Sequence, residues 1–426
     1  MTTKKRYRIF FISFIMVSFA LTACNSNNIS PKTIQTDKST INSAVNKLSG
    51  SICIGKNDLF FLFTDTQYFG HNLGYLCHNN SAYLFYYKSE KSETASIKRV
   101  EGLDGIQDIV WLEEGNYLGL FKDGSVKYWN DEYIAKNKGP YTIKNFTCSK
   151  IVGYFDQAFF LKSDGTVWYD KVLDYDYDNG GLFNASPKQV NDLKGNKIID
   201  IASSGGGQNY YDYLSDKSEI SPNSIINNYL IALTLDGKVL TWNNYLKVPK
   251  LKVLYENKDV VKIEALEGVF FAITKHGELY RWGEDNGRGI VGKMEGDRGD
   301  LPELFVSYKK PTKMNLPGKV KQIALSINFA LALLEDGTVW GWEGAVYEDG
   351  WINAEVAPDE IARKLTLTGV AKVFANGNNA IAYMNDGSIK KWGVNGSYDI
   401  FGANSCQNIK TISKLEIKNN KLIKVN

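Results

Sequence analysis

The 426-residue sequence predicts an all-β chain, a seven-bladed β-propeller of four-stranded blades, and three observations lead there. One hairpin pattern returns six times, its spacing suits a four-stranded unit, and the chain length suits seven such units. Composition agrees. Aromatic residues are 13% of the chain, with 25 Tyr, 21 Phe and 9 Trp against 9 Pro, a mix that favours strands over loops or helices.

The hairpin pattern is an apolar run, a turn of Asp-Gly type, alternating residues, then Trp. Its copies are GLFKDGSVKYWN (119–130), FLKSDGTVWYD (160–170), ALTLDGKVLTWN (232–243), AITKHGELYRWG (272–283), ALLEDGTVWGWE (332–343) and AYMNDGSIKKWG (382–393). The turn glycines are Gly124, Gly165, Gly237, Gly277, Gly337 and Gly387, each expected at the positive φ of a tight hairpin. Trp129, Trp242, Trp282, Trp342 and Trp392 follow at a fixed distance; the second copy has Asp170 there and Trp168 two residues earlier. A Trp at fixed phase in every unit reads as packing between blades rather than as a ligand platform.

A second motif precedes several hairpins: VVKIEALEGVFFAIT (260–274), KVKQIALSINFALAL (319–333) and GVAKVFANGNNAIAY (369–383). Each gives an apolar strand, a small-residue bend and a second apolar strand, so the full unit has four strands. The turn glycines are spaced 41, 72, 40, 60 and 50 residues apart, the longest gap holding an insertion near 208–224. A degenerate seventh copy, GYLCHNNSAYLFYY (74–87), lies upstream. Seven units of about 50 residues need roughly 350, and residues 51–426 supply 376. The tail NNKLIKVN (419–426) resembles the opening strand GNKIIDIAS (195–203), so pairing of N- and C-terminal strands in one blade is expected to close the ring.

These units resemble the regulator of chromosome condensation repeat, which runs from an Asp-Gly hairpin to Trp-Gly, an Asn-rich turn and Leu-Gly. The segment Trp282-Gly283-Glu284-Asp285-Asn286-Gly287-Arg288-Gly289-Ile290-Val291-Gly292 carries the likeness best. Trp392-Gly393-Val394-Asn395-Gly396, ending at Phe401-Gly402, comes next. Most other copies lack the Gly-rich second half. The resemblance implies a seven-bladed propeller. Its members include a nuclear exchange factor for a small GTPase and a secreted inhibitor of β-lactamase, which implies a protein-binding module.

Residues 1–24, MTTKKRYRIFFISFIMVSFALTAC, have a basic head, an apolar middle and a small-residue end, the pattern of a secretory signal. Leu21-Thr22-Ala23-Cys24 resembles a bacterial lipobox, so a signal over 1–23 and lipidation (a palmitate-bearing anchor) at Cys24 are expected. The polar stretch 24–50 reads as a tether, and 51–426 as the propeller. The expected address is the cell membrane, facing outside the cytoplasm. Lys4, Lys5, Arg6 and Arg8 account for the formal charge of +3; without them the chain is at about −1, which argues against a nucleic-acid partner. Cys53, Cys77, Cys148 and Cys406 allow three full pairings, among which spacing does not choose.

No nucleophile elbow, zinc-protease motif or P-loop is present, so a non-enzymatic, monomeric protein binder is expected. A cell-envelope carbohydrate binder or carbohydrate-active enzyme is the alternative. Aromatics outside the repeat phase are the candidate contacts: Tyr210, Tyr211 and Tyr213 in the insertion, and Tyr347 and Trp351 in 344–355. Asp174, Asp176 and Asp178 alternate in YDKVLDYDYDNGG (169–181) as ligands of Ca²⁺ would. Asn179 and Ala185 replace the turn glycine and bidentate Glu of an EF-hand, so a solvated acidic loop is the favoured reading and no cofactor is required.

Overall fold

The structure is a computed structural model that describes residues 59–63, 72–78, 81–86, 96–112, 116–130, 140–154, 157–171, 185–203, 230–242, 251–266, 268–284, 307–326, 329–343, 362–376, 379–392, 409–418 and 421–425. Among them the regular structure is strand, apart from one 3-10 turn at Asn191–Leu193. The strands form seven antiparallel sheets, six of four strands and a last one of five. Each sheet follows chain order, as expected of hairpins joined in series. The first strands of the sheets are Leu59–Phe63, Ile106–Trp111, Lys150–Tyr154, Ile198–Ser203, Val260–Leu266, Val320–Leu325 and Val370–Asn376. Each lies beside the next, and Leu59–Phe63 lies beside both Ile106–Trp111 and Val370–Asn376. These seven inner strands therefore trace a ring.

The ring follows from second strands that are apolar on both faces. Asn116–Phe121, Gln157–Leu161, Leu230–Thr234, Val269–Thr274 and Phe329–Leu334 are buried along their whole length. Successive side chains of a strand point to opposite faces, so such a strand needs cover on both sides. In the sixth sheet, Phe329, Leu331 and Leu333 pack toward the seventh, while Ala330, Ala332 and Leu334 pack toward the fifth. Six apolar clusters fill the six seams between consecutive sheets.

Trp129, Trp242, Trp282, Trp342 and Trp392 are all buried, each in the seam toward the preceding sheet. A small residue stands ten positions before each: Gly119, Ala232, Ala272, Ala332 and Ala382. A Cβ on Gly119 would stand 2.7 Å from Cζ3 of Trp129, which shows how closely the indole covers that spot. The third sheet inverts the arrangement. Phe160 occupies the small-residue place and Asp170 the Trp place. Phe160 is buried edge-on to Phe146, which also meets the displaced Trp168. Bulk has moved from one strand to its neighbour, and the seam is filled either way.

The six turn glycines have φ between 78° and 86°. The turn aspartates cap their own hairpins: Asp164 and Asp336 each accept from the backbone N–H and the hydroxyl of the Thr two residues on. Those hydroxyl bonds hold both carboxyls below the usual range. His276 replaces the turn Asp of the fifth sheet and is exposed, 3.6 Å from Asp259. The turn carbonyls also lace the sheets together. Gly124, Gly165, Gly237, Gly277 and Gly337 accept from the N–H of Cys148, Ile198, Asn257, Val320 and Val370, on the segments that lead into the next sheet.

The closing strand differs from expectation. Lys421–Val425 does not complete the first sheet; it pairs with Lys410–Lys418, from Lys414↔Val425 to Lys418↔Lys421, as a fifth strand of the last sheet. The first sheet is complete from its own segment, with Leu59–Phe63 inside and Ser96–Arg99 outside. The physical reason is occupancy. The inner place of the first sheet is already filled by its own LFFLF strand, which leaves KLIKV to extend an outer edge. The C-terminal strand instead lies beside Ser96–Arg99 at the outer rim.

Volume in the seams is thus the expected sensitivity. Ala332→Phe should destabilise by about 1–3 kcal/mol through overpacking, and Phe160→Ala by about 3–5 kcal/mol through a cavity. Urea unfolding of each variant checks both values.

Candidate functional site

Five of the seven inner strands carry a polar residue at a shared place. Asp108, Asp200, Lys262, Gln322 and Lys372 each directly follow a register shift between first and second strands. Such a bulge turns a side chain out of the regular alternation. Lys150, at the start of the third inner strand, precedes Ile151 as Asp108 precedes Ile109. These groups form a polar collar inside an otherwise apolar ring.

The collar joins sheets. Lys150 Nζ lies 2.5 Å from Asp200 Oδ1, with both side chains buried. Asp200 Oδ1 also accepts the N–H of Ile201, and Oδ2 accepts the N–H of Ile263 on the next inner strand at 3.1 Å. Lys150, Asp200 and Ile263 thereby link the third, fourth and fifth sheets. Gln322 makes the corresponding link from the sixth sheet to the seventh. Its Nε2 donates to the carbonyl of Val373 at 2.8 Å, and its Oε1 accepts the N–H of Val373 at 3.2 Å.

Electrostatics vary around the collar. Burial pushes the Asp108 carboxyl up to about 7, against the pull of Lys150 and the N–H of Ile109. Burial pulls Lys262 down, but Glu264, 2.8 Å away, outweighs it and leaves the ammonium above its usual range. Cys148 is a buried free thiol that burial pushes up to about 12, which leaves almost no nucleophilic thiolate at neutral pH. The collar can hold sheets together and carry charge; it offers no activated nucleophile.

The connections divide the molecule into two unlike faces. Second-to-third turns and fourth-to-first segments share one face, the laced one described above. First-to-second and third-to-fourth connections leave from the other, because strands in each sheet alternate in direction. The long stretches 204–229, 285–306 and 344–361 all belong to the second kind.

Every residue singled out for ligand, lipid or metal contact lies outside the described residues: Cys24, Asp174, Asp176, Asp178, Tyr210, Tyr211, Tyr213, Tyr347 and Trp351. The strands that flank those loops nevertheless place their attachment points together. The segment with Tyr210 joins the first and second strands of the fourth sheet. Those with Tyr347 and with Asp174 join third and fourth strands of the sixth and third sheets. All three are attached at the face opposite the laced turns. Among the described residues no three His, Cys, Asp or Glu side chains gather as a metal site. The collar was the feature that sequence reasoning missed. Its signal was a polar residue directly ahead of Ile or Val in most opening strands, as in VKQIAL and VVKIEAL.

Comparison with known proteins agrees with this architecture. The chain is 29% identical over 154 residues, 34% of its length, to RCC1 domain-containing protein RUG3, mitochondrial, of Arabidopsis thaliana. It is 28% identical over 202 residues, 41% of its length, to protein pim1 of Schizosaccharomyces pombe. These matches span only 32% and 36% of the two relatives. No family model matches. The fold extends further. Prp20p of Saccharomyces cerevisiae, in a structure reported with its binding properties to Gsp1p and histones, aligns over 84% of this chain and 85% of its own at TM-score 0.54 and 17% identity. The same yeast RCC1, bound to Kap60, aligns over 89% and 88% at TM-score 0.55. These likenesses support a β-propeller of RCC1-type repeats. The collar is then the polar spine of the ring, and the long connections are mounted on it.

Breaking the spine on one side only should be costly. Asp200→Ala strands a buried ammonium and should cost about 3–5 kcal/mol. Lys150→Met with Asp200→Asn removes the charge pair and keeps an acceptor for Ile263, so it should recover most of that loss. Chemical denaturation of the single and double variants measures the coupling.

Proposed function

We propose that this RCC1-repeat propeller is a protein-binding module, held outside the cytoplasm by a lipid on Cys24, and that it engages its partner through the face of long connections. The observation that carries the reading is the contrast between the faces. One is closed by Asp-Gly turns whose carbonyls bond the next sheet; the other mounts every long connection on strands buried on both sides. A rigid scaffold with long loops at one end suits recognition. The yeast relative, bound to Kap60 in one structure and described with Gsp1p and histones in another, supports protein partnership in this family. The lipobox at Leu21-Thr22-Ala23-Cys24 supports the anchor.

Affinity capture with the full chain, tagged and expressed in its own envelope, tests the binding. A protein retained by wild type and lost from Tyr347→Ala with Trp351→Ala is the expected result. Retention on purified wall polysaccharide with no protein partner would replace this reading by the carbohydrate one. Separately, Cys24→Ala should move the chain from the membrane fraction to the soluble fraction; an unchanged distribution would remove the anchor.

A further inference from the structure

From the second to the fourth sheet, the buried cation Lys150 acts on two buried carboxylates, Asp108 and Asp200. Lys150 Nζ is committed to Asp200 at 2.5 Å, and Asp200 also receives two backbone N–H groups. Asp108, 7% exposed on the preceding inner strand, receives the N–H of Ile109 at 2.9 Å. The other groups acting on it are Lys150 and Cys148 from the third sheet and Glu264 from the fifth. Of these only Lys150 is a cation, and Glu264 repels a charge on Asp108. Lys262 also acts on Asp200 but is paired with Glu264 at 2.8 Å, so two ammoniums face three carboxylates, Asp108, Asp200 and Glu264, in a site with little water.

We propose that the seam between the second and third sheets is a proton-sensitive joint, tightened when Asp108 takes up a proton and loosened when two carboxylates compete for Lys150. The proton comes from solvent and returns to it, and no other group changes its covalent state. The direction follows from linkage. Burial holds the folded carboxyl at about 7, above its ordinary value of 3.8. Folding therefore takes up a proton between those values, and the stabilisation present in acid is lost as pH rises through about 7. Outside the cytoplasm pH is set by the surroundings, so this joint would stiffen the ring on acidification.

The seam contains its own reporter. Cys148 lies in the apolar cluster between these two sheets, two residues before Lys150, so its alkylation requires local opening. In the full chain, the rate of Cys148 modification, read by peptide mass spectrometry, is compared between wild type and Asp108→Asn at pH 5 and at pH 8. The ratio of wild-type to variant rate should rise about threefold or more from pH 5 to pH 8, because only the wild type must bury a charge as Asp108 ionises. Comparing the two at one pH cancels the thiol's own ionisation. A ratio unchanged between pH 5 and pH 8 overturns the proposal. Should Asp108→Asn fail to fold, hydrogen exchange of the wild type decides, after correction for intrinsic rates. Protection at Ile106–Trp111 and Lys150–Tyr154 should fall between pH 5 and pH 8 while Val320–Leu325 keeps its own. A uniform change, or none, rejects the joint.

Discussion

Five second strands in this molecule have no face to spare, and the rest of the architecture depends on that constraint. A strand such as Phe329–Leu334, buried from end to end, cannot end a stack, because whichever side lacked a neighbour would expose an apolar row to water, Phe and Leu on one face or Ala and Leu on the other. At about 25 cal/mol per Å² of apolar surface, leaving one seam open would forfeit stabilisation comparable to that of a small domain. Stacking must therefore continue until the last sheet meets the first, and the inner strands Leu59–Phe63 and Val370–Asn376 do meet. The Trp-over-small-residue arrangement is the local form of this rule. What each seam conserves is filled volume rather than residue identity, which is why the third sheet can exchange a Trp for Phe160 without changing the plan.

Polar groups inside such seams need a reason, and here geometry supplies one. A bulge stands at the start of most inner strands, and at two of them it sets Asp200 and Gln322 to reach a backbone N–H of the neighbouring sheet. Apolar seams alone would tolerate sliding of one sheet against the next. A carboxylate held by Ile201, Ile263 and Lys150 has one satisfactory position, so the collar fixes relative height as well as adding attraction. The two functions differ in cost. Gln322 makes its link without charge, whereas the Asp108, Lys150 and Asp200 group places more negative than positive charge in a dry region.

Much of this was legible in the sequence, for reasons that particular residues make plain. The Asp-Gly turns could be read because only glycine adopts φ near 80° without strain, so the chain must spell them openly. The Trp series could be read because bulk at fixed phase has no cheap substitute. Closure was misread at the tail: KLIKV resembles an opening strand in pattern, but LFFLF already fills the inner place, and pattern alone does not distinguish inner from outer position. The collar was hidden because an Asp, Lys or Gln in an opening strand looks like ordinary alternation, and its meaning comes from a partner 50 or 63 residues away. The loop aromatics and the Asp174–Asp178 segment were chosen for lying outside the repeat, and such residues are not fixed by the physics that fixes the repeat.

The direction of the inner strands sets a polarity for the whole particle. Leu59 starts its strand at the laced face, and five strands later in the last sheet Val425 ends at the opposite one. The two ends of the ring-forming chain thus leave on opposite sides, like the two ends of an axle. Anything attached ahead of Leu59 is joined to the flat, turn-closed side. Anything attached after Val425 is delivered among the long connections, so a cargo or probe fused there would stand beside whatever those connections hold.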